Sequence, residues 1–147
     1  MQLSKYPLAS GKKFTTFEFI SEGPKGLIHK LVQLKKTNLK DVYNLAFGDK
    51  DHVTGQIDDT IISDNKDSEK VLATVVATIY AFTDKYPDAW IYATGSTKAR
   101  TRLYRMGITK YLSEAIKDFE ILGERHDDWE TFRRNVDYDG FFVKRKK

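Results

Sequence analysis

The stretch WIYATGSTKARTRLYR, Trp90–Arg105, contains a strand, a turn and the start of a helix, and the rest of the fold is predicted outward from it. Trp90–Ala93 has the continuous apolar character of a short buried strand, and Gly95-Ser96-Thr97 is typical of a turn into a helix. Free backbone N–H groups and the helix dipole make a helix N-terminus attractive to anions. We therefore expect an anion site where this helix begins.

Upstream of this stretch, strand and turn signals alternate before one strongly apolar helix. Segments with strand character cover residues 13–21, 27–36, 42–47 and 56–62. The turn signal at residues 22–26 predicts that the first two strands form a β-hairpin. The helix that follows is capped by Asp67 or Ser68 and ended by Pro87, and its apolar residues on several faces predict that it is buried.

Downstream, the basic helix is expected to run from about Thr97 to Met106, with Gly107 as its C-terminal stop. A second helical segment then starts at Thr109. The remaining elements are predicted as a strand at 120–124, a helical turn at 129–134 and a last strand at 138–144. The order ββββαβαββ predicts an α+β fold in which an antiparallel-rich sheet, with a β-meander first, packs against a long apolar helix and a basic helix.

Length and composition limit the class of protein. A chain of 147 residues predicts one domain, which we place at 13–147 with a short basic C-terminal tail, after a flexible N-terminal lead-in at 1–12. The absence of cysteine excludes disulfides, thiolate metal sites and a cysteine nucleophile, and it fits a cytoplasmic location. The longest mainly apolar run, Val71–Phe82, is too short to cross a bilayer, so no membrane partner is expected.

The expected anion site combines backbone donors, hydroxyls and arginines. Its predicted residues are Gly95, Ser96, Thr97, Arg100, Arg102, Tyr104 and Arg105. At about 100° per residue, one helix face carries Thr97, Arg100, Thr101 and Tyr104, with Arg105 at its edge. Arg102 points partly away from this face, and the opposite side, expected to pack on the sheet, carries Ala99, Leu103 and Met106. Arginine suits the planar recognition of phosphate, so the expected ligand is a nucleic acid or a phosphorylated small molecule. In the alternative, the arginines pair with acids elsewhere in the chain, such as Asp49, Asp51, Asp58 and Asp59.

Acidic residues near the third and fourth strands support a second hypothesis, which is an enzyme. The candidate metal ligands are Asp49, Asp51, Asp58 and Asp59, and oxygen ligands of this type would suit Mg²⁺ in a metal-dependent nuclease. Gly95-Ser96 after a strand is similar to the opening motif of the polymerase-β-like nucleotidyltransferases, in which a pair of aspartates follows a few residues later to hold metal. Here the next acids after Ser96 are Glu114, Asp118 and Glu120, and they form no Asp-x-Asp pair. Because no complete catalytic motif is present, we expect a binding module with no cofactor and no metal.

Aromatic residues make up 13% of the chain, and we assign them to the hydrophobic core. Phe17 and Phe19, for example, alternate along the first strand as inward-facing residues do. In the contrary case, a sheet that exposes aromatic side chains beside cations would be able to stack nucleic-acid bases.

Three motifs together resemble a small bacterial family, found chiefly in Bacteroidetes, of unknown function. They are Asn44–Asp49 (NLAFGD), Lys70–Val75 (KVLATV), and Gly95-Ser96-Thr97 with Ala99–Arg105 (ARTRLYR). The resemblance extends from about Phe17 to Val143 and implies a single-domain cytoplasmic protein, but it carries over no catalytic residue. Apart from this resemblance, a third hypothesis is a protein-interaction component, such as one half of a toxin–antitoxin or phage-defence pair.

Overall fold

Short strands and two long helices alternate along the chain. The structure is a computed structural model that describes residues 5–11, 13–58, 63–95 and 98–146, without the side chains of Arg100 and Leu103. The elements are β1 (Ala9–Ser10), β2 (Thr16–Gly23), β3 (Gly26–Lys36), β4 (Val42–Lys50), β5 (Ile57–Asp58), α1 (Ser68–Lys85), β6 (Trp90–Ala93), α2 (Lys98–Asp118), β7 (Phe119–Arg125), β8 (Asp128–Thr131) and β9 (Gly140–Arg145). Neither helix within these ranges is long and apolar enough to span a membrane.

The described strands form a mostly antiparallel open sheet in the order β1-β2-β3-β4-β6-β9-β7-β8, with β5 beside β4. Only one of the registers found among these residues is parallel, between β4 and β6, where Val42 lies opposite Trp90. Parallel neighbours require a long crossover, and α1 lies between these two strands in the chain. The predicted α+β class, with an antiparallel meander first, is confirmed.

The chain divides into two compact units, which we describe separately. Unit 1 comprises residues 1–34 and 46–85, and unit 2 comprises residues 35–45 and 86–147. The assignment of one domain to residues 13–147 stays a prediction.

Unit 1 is built on the predicted β2–β3 hairpin, in which Phe17 pairs with Val32 and Phe19 pairs with Lys30. Phe17, Phe19 and Val32 are all buried. Helix α1 adds Phe82 and three fully buried threonines to this core: Thr74, Thr78 and Thr83. Each threonine hydroxyl donates to a carbonyl three or four residues earlier in the helix, so its burial leaves no donor unsatisfied.

Part of the predicted N-terminal lead-in is anchored in unit 1. Tyr6 is only 5% exposed, and its backbone N–H donates to Thr74 Oγ1 at 2.9 Å. Its hydroxyl donates to the Asp67 carboxylate at 2.5 Å, and burial, followed by this hydrogen bond, raises the pKa of Tyr6. Ala9–Ser10 pairs antiparallel with β2. Residues 5–10 therefore lie against the hairpin.

Unit 2 places β6 beside β9 and β9 beside β7, and one side of these strands carries the core. Ile91 and Phe141 are fully buried, as neighbouring strands of a half-covered sheet require. Helix α2 contributes Tyr104 and Tyr111, which are one helical repeat of seven residues apart and are both buried. Because side chains alternate along a strand, the residues between these core positions point to the other side of the sheet.

Two predicted elements of unit 2 are wrong. Helix α2 continues through Gly107, which is buried, because the cost of about 1 kcal/mol for a glycine inside a helix is outweighed by burial of Tyr104 and Tyr111 on either side of it. The segment 129–134 was predicted as a helical turn, but its first three residues belong to strand β8, Asp128–Thr131. His126 and Asp127 both have positive φ, at 55° and 62°, and they form the two-residue turn that pairs β8 with β7.

Candidate functional site

The turn between β6 and α2 lies where the sequence predicts it, after a strand at Trp90–Ala93 and before a helix that begins at Lys98. Ser96 and Thr97, which belong to the predicted anion site, lie outside the described residues. The Gly95 N–H donates to Thr101 Oγ1 at 2.9 Å, and Thr94 Oγ1 donates to the Asp139 carbonyl at 2.9 Å. These bonds tie the turn to the first turn of α2 and to the residue before β9.

An open cavity of about 520 Å³ lies at this turn. Its lining residues come from the turn, the start of α2 and the segment before β9: Thr94, Gly95, Lys98, Thr101, Arg102, Asp137, Tyr138 and Asp139. Lys98 and Arg102 are exposed and are four residues apart, so they lie on neighbouring turns of one helix face. We call this site the cationic cavity, although Asp137 and Asp139 give its opposite wall a negative charge.

The orientation of the basic helix differs from the prediction. Tyr104 is 7% exposed and belongs to the core, whereas Met106, expected to pack on the sheet, is 53% exposed. The two large rings of Tyr104 and Tyr111 set the inward face, because they bury more apolar area than Met106 with Ala99 would. Rotated in this way, the helix directs Arg102 toward the cavity, although the helical spacing predicts that Arg102 points partly away from the face of Arg100.

Several arginines of unit 2 pair with acids, as the alternative hypothesis expects, but the acids are not those of the Asp49 region. Arg105 contacts Asp137 at 2.8 Å. Arg125 and Arg133 contact Glu130 at 3.2 Å and 2.8 Å. The Arg100 side chain lies outside what the structure describes, so its predicted role stays a prediction.

Two of the four acidic residues considered as metal ligands, Asp49 and Asp51, have other hydrogen-bond partners. Asp49 receives hydrogen bonds from Lys30 Nζ and Ser63 Oγ, and Asp51 accepts the N–H groups of Val53 and Thr54 at 2.7 Å and 3.1 Å. Asp58 lies opposite Asp49 in the β4–β5 register, and Asp59 lies outside the described residues. Among residues 5–11, 13–58, 63–95 and 98–146 there is no group of three or more His, Cys, Asp or Glu residues that could hold a metal.

Four aromatic residues that were predicted to belong to the core form a cluster of rings in unit 2. Tyr92 of β6 lies directly opposite Phe142 of β9, with ring centroids 5.1 Å apart, and Trp129 of β8 lies 4.3 Å from Phe142 and 5.9 Å from Tyr92. Trp90 completes the group at 5.8 Å from Phe142. All four side chains are half-buried, and we call them the aromatic face. No local pattern separates these rings from the core, because Trp90–Ala93 lacks polar alternation and residues 141–143 are all apolar.

Polar groups on the same side of the sheet hold the aromatic face in place. The Tyr92 hydroxyl donates to Glu124 Oε1 at 3.0 Å, and burial, followed by this hydrogen bond, raises the pKa of Tyr92 above its usual value. The Tyr92 ring passes over Gly140, where an added Cβ would lie 2.9 Å from the ring, so a larger residue at this position would displace the Tyr92 side chain. Lys144 Nζ lies 5.4 Å from the Trp90 ring centroid, a distance that allows a cation–π contact.

Comparison with known proteins identifies a family but no activity. The model of one protein family, described as a family of unknown function, matches residues 2–146. No curated protein and no solved structure matches the chain. The comparisons therefore agree with the resemblance at the level of a family without an assigned function, while the bacterial origin stays a prediction.

Proposed function

The chain belongs to DUF6934, the family of unknown function, and we propose that it is a binding module that holds phosphate groups in the cationic cavity. The observation that carries this proposal is the convergence of Lys98 and Arg102 on an open cavity at the N-terminus of α2. The first helical turn leaves backbone N–H groups without intrahelical acceptors, and the helix dipole adds a partial positive charge there. A phosphate in the cavity would receive both kinds of donor.

The distribution of charge along the chain supports an anionic ligand for unit 2. Residues 35–45 and 86–147 contain 16 lysines and arginines against 11 aspartates and glutamates, a formal charge of +5, while the rest of the chain contains 9 against 10, a charge of −1. Together these give the net charge of +4 for the chain. The basic excess therefore belongs to the unit that contains the cavity, where it would attract an anion at long range.

The acidic wall of the cavity limits the kind of anion. Asp137 is paired with Arg105, which offsets its charge, but Asp139 also lines the cavity. A polyphosphate would bring several charges close to Asp139, whereas a phosphodiester brings one. We therefore expect single phosphate groups of a polymer or a monoester to bind better than a nucleoside triphosphate.

The proposal is tested with an abasic deoxyribose-phosphate oligomer of roughly ten units, a probe that carries phosphates but no bases. We expect the wild-type protein to bind it, with affinity falling between about 50 mM and about 200 mM salt, because binding releases counterions. Lys98→Ala/Arg102→Ala should weaken binding roughly tenfold or more and flatten the salt dependence, since two phosphate-binding cations are lost. Fluorescence anisotropy of the labelled oligomer measures both effects.

A matched control removes the same charge elsewhere in unit 2. Lys117 and Arg134 are exposed and do not line the cavity, so Lys117→Ala/Arg134→Ala should retain most of the affinity. Circular dichroism of each variant reports whether its fold is intact. Absence of binding by the wild-type protein, or equal losses in the control and the cavity variant, would overturn the proposal.

A further inference from the structure

The aromatic face lies on the side of unit 2 opposite its core. Ile91 and Phe141 are 0% exposed on the core side, while Trp90, Tyr92, Trp129 and Phe142 are half-buried on the other. The ring contacts of these four side chains with aromatic residues are with one another. The neighbours on the same side include Glu120, which is exposed opposite Lys144.

The aromatic face leads directly to the cationic cavity. Trp90, Tyr92 and Thr94 alternate with core residues at the end of β6, so they follow one another along the same side. Thr94 lines the cavity and is two residues, or roughly 7 Å, from Tyr92. The Tyr92 ring also lies over Gly140, whose preceding residue, Asp139, lines the cavity. A polymer on the aromatic face would thus bring its backbone within reach of Lys98 and Arg102.

We infer that the aromatic face binds a single-stranded polynucleotide, whose bases stack on its rings while a neighbouring phosphate occupies the cationic cavity. This inference rests on the proposed function for its phosphate contact, but the stacking contact has its own evidence in the four rings. Proteins that bind single strands combine these two elements, since every base has a π face and every nucleotide has a phosphate. A duplex keeps its bases stacked on each other and offers none to the face.

Charge favours a polynucleotide over an apolar protein surface as the occupant. The face is bordered by Lys144, which lies over Trp90, and unit 2 carries a formal charge of +5. A protein partner would be attracted to the aromatic rings but would have no need of the cavity at the end of β6.

The two tryptophans of the chain both belong to the aromatic face, so intrinsic tryptophan fluorescence reports on this face alone. Titration with oligothymidylate and with oligouridylate of roughly ten nucleotides should quench this fluorescence, and both should bind several-fold or more tightly than the abasic oligomer. The abasic oligomer should bind without quenching. A duplex of the same length should bind no better than the abasic oligomer.

Substitutions separate the stacking contact from the fold. Trp129→Leu should weaken binding of oligothymidylate by roughly tenfold, bringing it close to that of the abasic oligomer, and should leave the abasic affinity unchanged. Trp129→Phe keeps an aromatic ring and should retain most of the affinity, which guards against a Trp129→Leu variant that fails to fold. Phe14→Leu changes an exposed aromatic residue of unit 1 and should have no effect.

Three results would overturn the inference. Equal affinity for the thymidylate and abasic oligomers without quenching would leave the phosphate proposal standing and remove the stacking contact. Binding of the duplex as tight as that of oligothymidylate, or tighter, would mean that the bases do not stack on the rings. A wild-type protein that binds no oligomer but self-associates with a change in tryptophan fluorescence, a change lost in Trp129→Leu, would make the face an interface between copies of the chain.

Discussion

At the scale of single residues, the ion-pair and the metal-site interpretations predict opposite changes in the free energy of unfolding for a substitution at Asp49. Its side chain is 14% exposed and pairs with Lys30, which is 6% exposed. Removing one partner of a buried pair leaves the other charge uncompensated, so Asp49→Asn should lower the free energy of unfolding by about 3 kcal/mol. Urea denaturation followed by circular dichroism measures this change. A metal site formed by repelling carboxylates predicts the reverse, since Asp49→Asn would then stabilise the metal-free protein.

Asp51 offers a control with the same change in charge. It lies in an exposed turn and accepts two backbone N–H groups through Oδ1, which an asparagine oxygen can also do. Asp51→Asn should therefore change the free energy of unfolding by less than about 1 kcal/mol. A stability gain in Asp49→Asn with no change in Asp51→Asn would contradict the ion-pair interpretation. The sequence alone could not pair Asp49 with Lys30, because the two lie 19 residues apart and meet only when β3 and β4 are in place.

At the scale of elements, patterns within a segment predicted the type of those strands and helices that depend mainly on the segment's own residues. The hydrophobic runs of β2, β3, β6 and α1 fixed their type and approximate bounds, because each element buries its own apolar residues. The predicted end of the basic helix was wrong because the tertiary burial of Tyr104 and Tyr111 overrides the local preference of Gly107 to end the helix. Strand β8 was missed because His126-Asp127 is an unusual sequence for a turn with two positive φ angles.

The aromatic face likewise could not be predicted from local sequence patterns. A strand of four residues with no polar alternation predicts burial on both sides, and Trp90–Ala93 reads in this way. Only the pairing with β9 shows that Tyr92 and Phe142 share one side and that Ile91 belongs to the other. The cationic cavity was located from the strand–turn–helix pattern, but the rotation of α2 that directs Arg102 into it depends on packing that no local pattern encodes.

Strand β7 carries a packing prediction at Gly123, on the core side of unit 2. A Cβ at this position would lie 2.5 Å from the ring of Tyr138, which is buried and hydrogen-bonded through its hydroxyl to Glu130. Because that ring cannot move without losing its bond, Gly123→Ala should lower the free energy of unfolding by about 1–3 kcal/mol. Gly11→Ala, where the nearest atom lies at 3.9 Å, is the control and should have little effect. Equal stability of both variants in urea denaturation would mean that β7 and Tyr138 are packed more loosely than described.

At the scale of the whole molecule, charge and aromatic surface belong to the same part of the chain. Unit 2 holds the basic excess, the cationic cavity and the aromatic face, whereas unit 1 is nearly neutral and holds the buried Lys30–Asp49 pair. The physical roles of the two units therefore differ. Ligand contact is expected in unit 2, while the ionic groups of unit 1 stabilise its own core.

Hydrogen exchange tests this assignment across the chain in one experiment. Saturation with oligothymidylate should slow the exchange of backbone amides in segments 88–102 and 126–142, which carry the cavity and the aromatic face, and should leave the β2–β3 hairpin at 16–34 unchanged. The abasic oligomer should protect only the start of α2, because it makes the phosphate contact without stacking. Ligand-dependent protection of the hairpin, with segments 88–102 and 126–142 unaffected, would place the ligand on unit 1 and refute both proposals, since neither the cavity nor the rings would then be in contact with it.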